Sequence, residues 1–191
     1  MNYKSEDSQL IGELSHHIEE ILKILGENPT REGLLKTPQR AAKALLYVTK
    51  GYHENKEEVI GDAIFPTDSK GMVLVKNIEF YSLCEHHLLP FFGHISIGYL
   101  PDGKILGLSK LVRIVEMFSR RLQVQEQLTH QICLALSEAI PNRGVVVRVL
   151  ADHLCMKMRG VEKQNATTLT VEATGLFEKS PEMMQQFLAQ L

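Results

Sequence analysis

Cys84 and His87 stand three residues apart in Ser82-Leu83-Cys84-Glu85-His86-His87-Leu88-Leu89-Pro90. Far along the chain, His153-Leu154-Cys155 brings a second thiol beside an imidazole. A thiolate and an imidazole at that spacing can close on one metal ion, and a soft sulfur with a borderline nitrogen favours Zn2+. Two ligands are too few, so the distant segment must supply a third. If residues 145–155 stay extended, His153 and Cys155 project to the same face. Cys155 then reaches the ion and His153 stands beside it. Three protein ligands, Cys84, His87 and Cys155, leave a fourth position open for water that ionises near neutral pH, as in catalytic zinc sites. Two plainer readings compete. Cys84 can be an ordinary buried thiol among unrelated histidines, or the zinc can be structural and need a fourth ligand. The only spare thiol for that is Cys133, which lies on the apolar side of Gln131-Ile132-Cys133-Leu134 and reads as core.

A second group could handle an anion. Ser109, Lys110 and Arg113 fall in the first turns of one expected helix, where free amides and cationic side chains suit phosphate. Arg40 and Lys43 share a helix face, and Arg159 follows closely on Cys155. Each of these is also compatible with a solvated charged surface. Glu126, next to Gln125, can accept hydrogen bonds from the N–H edge of a purine, or can be a plain helix-surface carboxylate.

The elements that must position these residues follow from the apolar pattern. Ile11, Leu14, Ile18, Ile21, Leu22 and Leu25 have helical spacing up to Gly26. Thr37-Pro38 opens a second helix, with Thr37 as cap and Ala41, Ala44, Leu45 and Val48 as its stripe, stopping at Gly51. Residues 72–82 read as a strand entering the Cys84 segment, and 92–99 as another with Ile95, Ile97 and Tyr99 on one face. Pro101-Asp102-Gly103 is a turn and 105–108 a short strand. Ser109 can cap a helix with stripe Leu111, Val115, Phe118 and Leu122. A further helix runs through Leu128, Ile132 and Leu136 to Pro141. Strands at 145–150 and 167–171 and a helix opened by Ser180-Pro181 complete the chain. The order predicts an α+β fold, a largely antiparallel sheet backed by helices on one face. An N-terminal helical appendage spans residues 1–60 and the catalytic domain 61–191.

The 191 residues, 44% apolar, suffice for one buried core. A net charge of −2 argues against a general binder of nucleic acid or of membrane surfaces. Three irregularly spaced cysteines predict reduced thiols and a cytoplasmic location rather than a disulfide scaffold. The polar start, Met1-Asn2-Tyr3-Lys4, is not a signal peptide, and no apolar run reaches the roughly 20 residues that span a bilayer.

Taken together, Cys84-Glu85-His86-His87 with Pro90-Phe91, Gly107-Leu108-Ser109-Lys110, Arg120 to Glu126, His153-Leu154-Cys155-Met156 and Arg159-Gly160-Val161 closely resemble the GTP cyclohydrolase I family. Glu32-Gly33-Leu34 and Thr37-Pro38-Gln39-Arg40 fit as well. The resemblance implies a tunnelling-type fold, a homodecamer with interfacial active sites, and conversion of GTP and water to 7,8-dihydroneopterin triphosphate and formate. It implies Cys84, His87 and Cys155 as zinc ligands and a zinc-activated water attacking guanine C8. His153 is then the acid for the purine imidazole nitrogen, and His86 a second acid–base group near the ribose. Gln125 and Glu126 match guanine-reading positions and Ser109 a ribose contact. Lys110, Arg113, Arg159, Arg40 and Lys43 match a triphosphate clamp. Two positions depart from the pattern: Leu150 stands where a carboxylate is expected, and Leu169-Thr170-Val171 lacks the usual serine. The alternative function is a non-catalytic, zinc-stabilised GTP-binding or regulatory protein. Retention of two histidines outside the ligand set argues against it. A zinc nucleobase deaminase would need a Cys-x-x-Cys that the chain lacks.

Overall fold

The computed structural model describes residues 5–191, with side chains from Ser8 onward. The polar start read above as lacking a signal peptide, residues 1–4, lies outside the described residues. The chain divides into two compact units, the residues up to Thr49 and Lys50–Leu191.

In the first unit, α1 (Ser5–Ile24) packs on α2 (Thr37–Val48). Gly26, at φ 87°, ends α1 in the left-handed conformation that glycine adopts without strain. Of the expected α1 stripe only Ile11 is fully buried, and Ile21 and Leu25 are exposed. In α2 the buried residue is Ala42, not the stripe read from sequence. Lys36 rather than Thr37 is its N-cap, which moves Pro38 into the first turn. The helix stops at Thr49, before Gly51, because a 3-10 turn, Lys50–His53, begins there.

The second unit is built on a five-stranded sheet. Its strands are β2 (Val73–Cys84), β3 (Pro90–Pro101), β5 (Leu122–Gln123), β6 (Asn142–His153) and β7 (Thr168–Ala173), in the order β5-β2-β3-β6-β7. Every pair is antiparallel except β2–β5, which is parallel and only two residues long. The α+β reading therefore holds. A separate two-stranded ribbon joins β1 (Ile64–Pro66) to β4 (Lys104–Leu106), and three-residue strands of this kind leave no periodic signal. Helices α4 (Leu108–Ser119) and α5 (Gln125–Ala139) cover one sheet face. There Phe80, Phe91, Ile95, Ile97, Val147 and Val149 meet Leu111, Ile114, Leu128 and Ile132, all at or near zero exposure. The short α3 (Lys56–Ile60), grouped with the appendage in the sequence reading, sends Ile60 into this core.

The other sheet face is half covered. Leu100 and Val146 are buried by Phe177 of α7 (Leu176–Lys179) and Phe187 of α8 (Pro181–Leu188). This is why residues 95–101 are buried on both faces, where alternation alone predicts one. Ser180 caps α8 as expected, accepting from the Met183 N–H. Gly107, not Ser109, is the N-cap of α4, and Ser109 sits in the first turn.

Candidate metal centre and anion cluster

The candidate metal ligands gather at one end of the central sheet. Cys84 ends β2 and pairs with Gln123, while Phe91 opens β3 opposite His153, which ends β6. The loop after Cys84 folds back tightly: Leu88 N–H donates to the Cys84 carbonyl at 2.8 Å and Cys84 N–H to the Leu89 carbonyl at 2.9 Å. Leu88 accepts a φ of 55° to make that turn, a conformation that costs a branched residue free energy and recurs at functional loops. The turn aims His87 back at Cys84, with Nδ1 3.7 Å from Sγ.

Cys155 arrives differently from the sequence expectation. The strand stops at His153, and Leu154–Lys157 form a helical turn, α6. Cys155 is delivered by that turn and not by the strand's two-residue repeat. The outcome is the same ligand set, because the ligand atoms of Cys84, His87 and Cys155 lie within 4.8 Å of one another. Two sulfurs and one nitrogen at that separation fit a metal that takes soft ligands, and three ligands leave a coordination position for solvent or substrate. Burial and the neighbouring Cys84 push the Cys155 thiol up, and Arg159 opposes them. A bound cation would reverse that preference, since a coordinating thiol is deprotonated. Cys133 is buried with its thiol pushed up to about 12 by burial, as a core residue should be.

His153 stacks on Phe91, ring centroids 4.7 Å apart and planes 6° apart. Burial lowers its pKa, with Glu126 and Asp152 pulling the other way. Its Nε2 lies 2.7 Å from Oε1 of Gln125. His86 is largely exposed beside Glu85, at 3.5 Å. Glu126 is exposed in the first turn of α5, available to a ligand, whereas Gln125 is 1% exposed and hydrogen-bonded within the chain. Leu150 lies three residues before His153 in an extended strand, so it projects to the opposite face. A carboxylate there could not face the His153 ring from its own strand.

The anion cluster is elsewhere. Tyr99, at the far end of β3, accepts through its hydroxyl from the Leu106 N–H at 3.2 Å, and α4 starts two residues later. Tyr99 lies eight strand positions on from Phe91, about 26 Å of extended chain. Ser109 and Lys110 therefore sit at the opposite end of the sheet from the thiols. Lys110 Nζ donates to the Val59 carbonyl at 3.0 Å. Arg113, one turn on, lines a concavity of about 420 Å3 with Lys50, His53, Glu58 and Glu116. Arg159 is exposed just after α6, close enough to Cys155 to lower its pKa. Arg40 and Lys43 lie on α2 in the first unit. One chain thus brings together the thiols, His87, His153 and Gln125, and keeps Ser109 and Lys110 apart from them.

Sequence reasoning missed Phe91, Thr129 and Thr170 as parts of this centre. Phe91 reads as core, and the threonines become visible only when β7 is set beside α5.

A family model described as GTP cyclohydrolase I matches residues 14–191. GTP cyclohydrolase 1 of Homo sapiens is 53% identical over 184 residues, which are 96% of this chain and 74% of that protein. The protein of the same name from Pseudoalteromonas translucida is 54% identical over 92% of this chain and 96% of its own length. The Drosophila melanogaster protein is 54% identical over 94% of this chain, which spans only 55% of that longer relative. A crystal structure of an archaeosine synthase QueF-like protein in the apo form aligns with TM-score 0.46 and 19% identity, over 56% of this chain and 97% of that one.

Proposed function

Since the chain belongs to the GTP cyclohydrolase I family, we propose that it is a zinc enzyme converting GTP and water to 7,8-dihydroneopterin triphosphate and formate. The observation that carries this reading is the convergence of Cys84, His87 and Cys155 beside a half-buried, ring-stacked histidine that is not a ligand. A structural zinc would need no such neighbour.

When bound, Zn2+ supplies an activated water and polarises the atom under attack. The residues do the rest. Opening the guanine imidazole requires a proton on N7, and His153, held against Phe91, is the group placed to carry one. Formate release and rearrangement of the ribose call for further proton movement, for which the exposed His86 is the second acid–base group. Glu126 accepts from the guanine N–H edge. Ser109 contacts the ribose, and Lys110, Arg113, Arg159, Arg40 and Lys43 hold the triphosphate, which keeps the substrate fixed through several steps.

The separation of Ser109 and Lys110 from the thiols favours sites shared between copies, as in the family's homodecamer. So do the sheet edges. β7 is the last strand in the order, and β5 covers only the final two residues of β2. Open edges of this kind invite continuation of the sheet by another copy. Unpaired cysteines and a thiolate zinc site suit the cytoplasm. No described helix is long and apolar enough to cross a membrane.

The test is formate release and fluorescent oxidised neopterin from GTP with zinc-loaded protein, beside Cys155→Ser. Turnover lost in the variant together with its zinc supports the assignment. GTP and zinc binding without formate from the unaltered protein would leave the non-catalytic binding protein as the answer.

A further inference from the structure

We propose that Gln125 is a positioning residue that fixes the ring edge and tautomer of His153, itself held by Thr170 and Thr129, and that it does not read the base. The inference rests on the acid–base reading of His153 given above.

Gln125 opens α5, where a polar residue ordinarily meets solvent, yet it is 1% exposed. A buried carboxamide has to place two N–H donors and a carbonyl. Its Nε2 lies 3.1 Å from the Val149 carbonyl, 3.0 Å from the Thr168 carbonyl and 3.1 Å from Thr170 Oγ1. Two of these three are main-chain oxygens that can only accept. The amide nitrogen must face them, because the flipped amide would set oxygen against oxygen. Oε1 is thereby turned to His153 Nε2 at 2.7 Å. An amide oxygen only accepts, so Nε2 of His153 carries the hydrogen and the neutral ring keeps its lone pair on Nδ1. Phe91 sets the plane of the ring and Gln125 sets which edge points inward.

The clamp has its own support, and both of its hydroxyl hydrogens are assigned. Thr129 Oγ1 donates to the Gln125 main-chain carbonyl at 2.7 Å. It therefore accepts from Thr170 Oγ1, 2.6 Å away, and Thr170 in turn accepts from Gln125 Nε2. A chain of hydrogen bonds running in one direction reinforces each member. With both amide hydrogens committed, Gln125 has none to offer guanine, and the reading of the base falls to Glu126.

Two measurements test this. Solid-state 15N NMR of the zinc-loaded, histidine-labelled protein, with the signal assigned by its loss in His153→Asn, should show His153 with hydrogen on Nε2. Hydrogen on Nδ1 with a bare Nε2 overturns the proposal. Thr170→Val, nearly isosteric and without the hydroxyl, should lower kcat about tenfold, part of the 10²–10⁴ that a positioned acid–base group supplies. KM for GTP, and the preference for GTP over inosine triphosphate, which lacks the 2-amino group, should not change. A raised KM at constant kcat, or an altered preference, would return Gln125 to base reading and sink the clamp. Gln125→Ala should cost more in kcat with the same unchanged preference; where it fails to fold, Thr170→Val and the NMR signal carry the test. If the unaltered protein releases no formate, the functional reading fails while the NMR measurement still judges the clamp.

Discussion

If the nucleotide site is completed by a neighbouring copy, two variants that are each severely impaired should restore one another. Cys155→Ser removes a proposed metal ligand, and Arg113→Ala removes a cation from the helix that starts at the other end of the sheet. Each chain then carries one intact half of a site. In co-expressed, randomly mixed assemblies, a site is whole only where the metal half comes from an Arg113→Ala chain and the anion half from a Cys155→Ser chain. With each choice at one in two, about one quarter of the sites are whole, so mixing should return about 25% of unaltered activity. The baseline has to lie well below that. On the proposed reading, loss of three-ligand coordination abolishes turnover, and loss of one charge-assisted contact to the triphosphate costs about 1.5–3 kcal/mol, some 10- to 150-fold below saturation. The assay is formate release at GTP below KM, from assemblies carrying two different affinity tags and purified through both. Tandem-purified assemblies with activity no higher than the mean of the two single variants would refute the argument. The metal and the anion cluster would then belong to one chain, contrary to the 26 Å of strand between Phe91 and Tyr99.

Two further outcomes are expected. Phe91→Leu keeps an apolar residue in the core but loses the edge contact to Phe80, centroids 5.8 Å apart, and the stack under His153. At about 0.5–1.5 kcal/mol per ring pair and with a smaller side chain, it should destabilise by roughly 2–3 kcal/mol, read from the urea midpoint. It should also lower kcat more than it raises KM; unchanged kcat would mean that His153 does not depend on the stack. Cys133 is protonated in the fold, its thiol pushed from 9.0 up to about 12. The stability it lends is fully present below about pH 9 and drains away as pH rises toward about 12, by about 1.4 kcal/mol per unit. Comparing urea midpoints of the unaltered protein and Cys133→Ala across pH 8 to 11 should show a steeper alkaline loss for the former; parallel curves would contradict the burial argument.

Much of the fold was legible because long amphipathic or β-branched runs carry their own period. The strand at Val145 and the helix through Leu128, Ile132 and Leu136 are of that kind. What escaped was set by tertiary contact. The ribbon of β1 and β4 and the parallel β5 are two or three residues long. The second buried face of β3 exists only because Phe177 and Phe187 return from the C-terminus to cover it. At the site, residue types pointed to the metal set, yet the extended path drawn to Cys155 was wrong, since a helical turn intervenes at Leu154. Gln125 matched a guanine-reading position beside Glu126, and nothing in the sequence shows its burial. Only the pairing of β6 with β7 brings Val149, Thr168 and Thr170 around it.

These particulars separate two kinds of chemistry within one chain. The thiols and His153 stand on strand ends and turns locked by the core: Cys84 is 6% exposed, Phe91 fully buried, and Gln125 tied to three acceptors. Such groups are in place before any partner arrives, so the ordering they require has already been met by folding. Ser109, Arg113 and Arg159 are exposed and carry no comparable framework. A polyanion is attracted by charges that need not be rigid, whereas a metal and a proton-transferring ring need their distances held within tenths of an ångström. On the proposed reading, the sheet keeps the demanding geometry inside a single chain and leaves the tolerant, electrostatic part to surfaces that a second copy would complete.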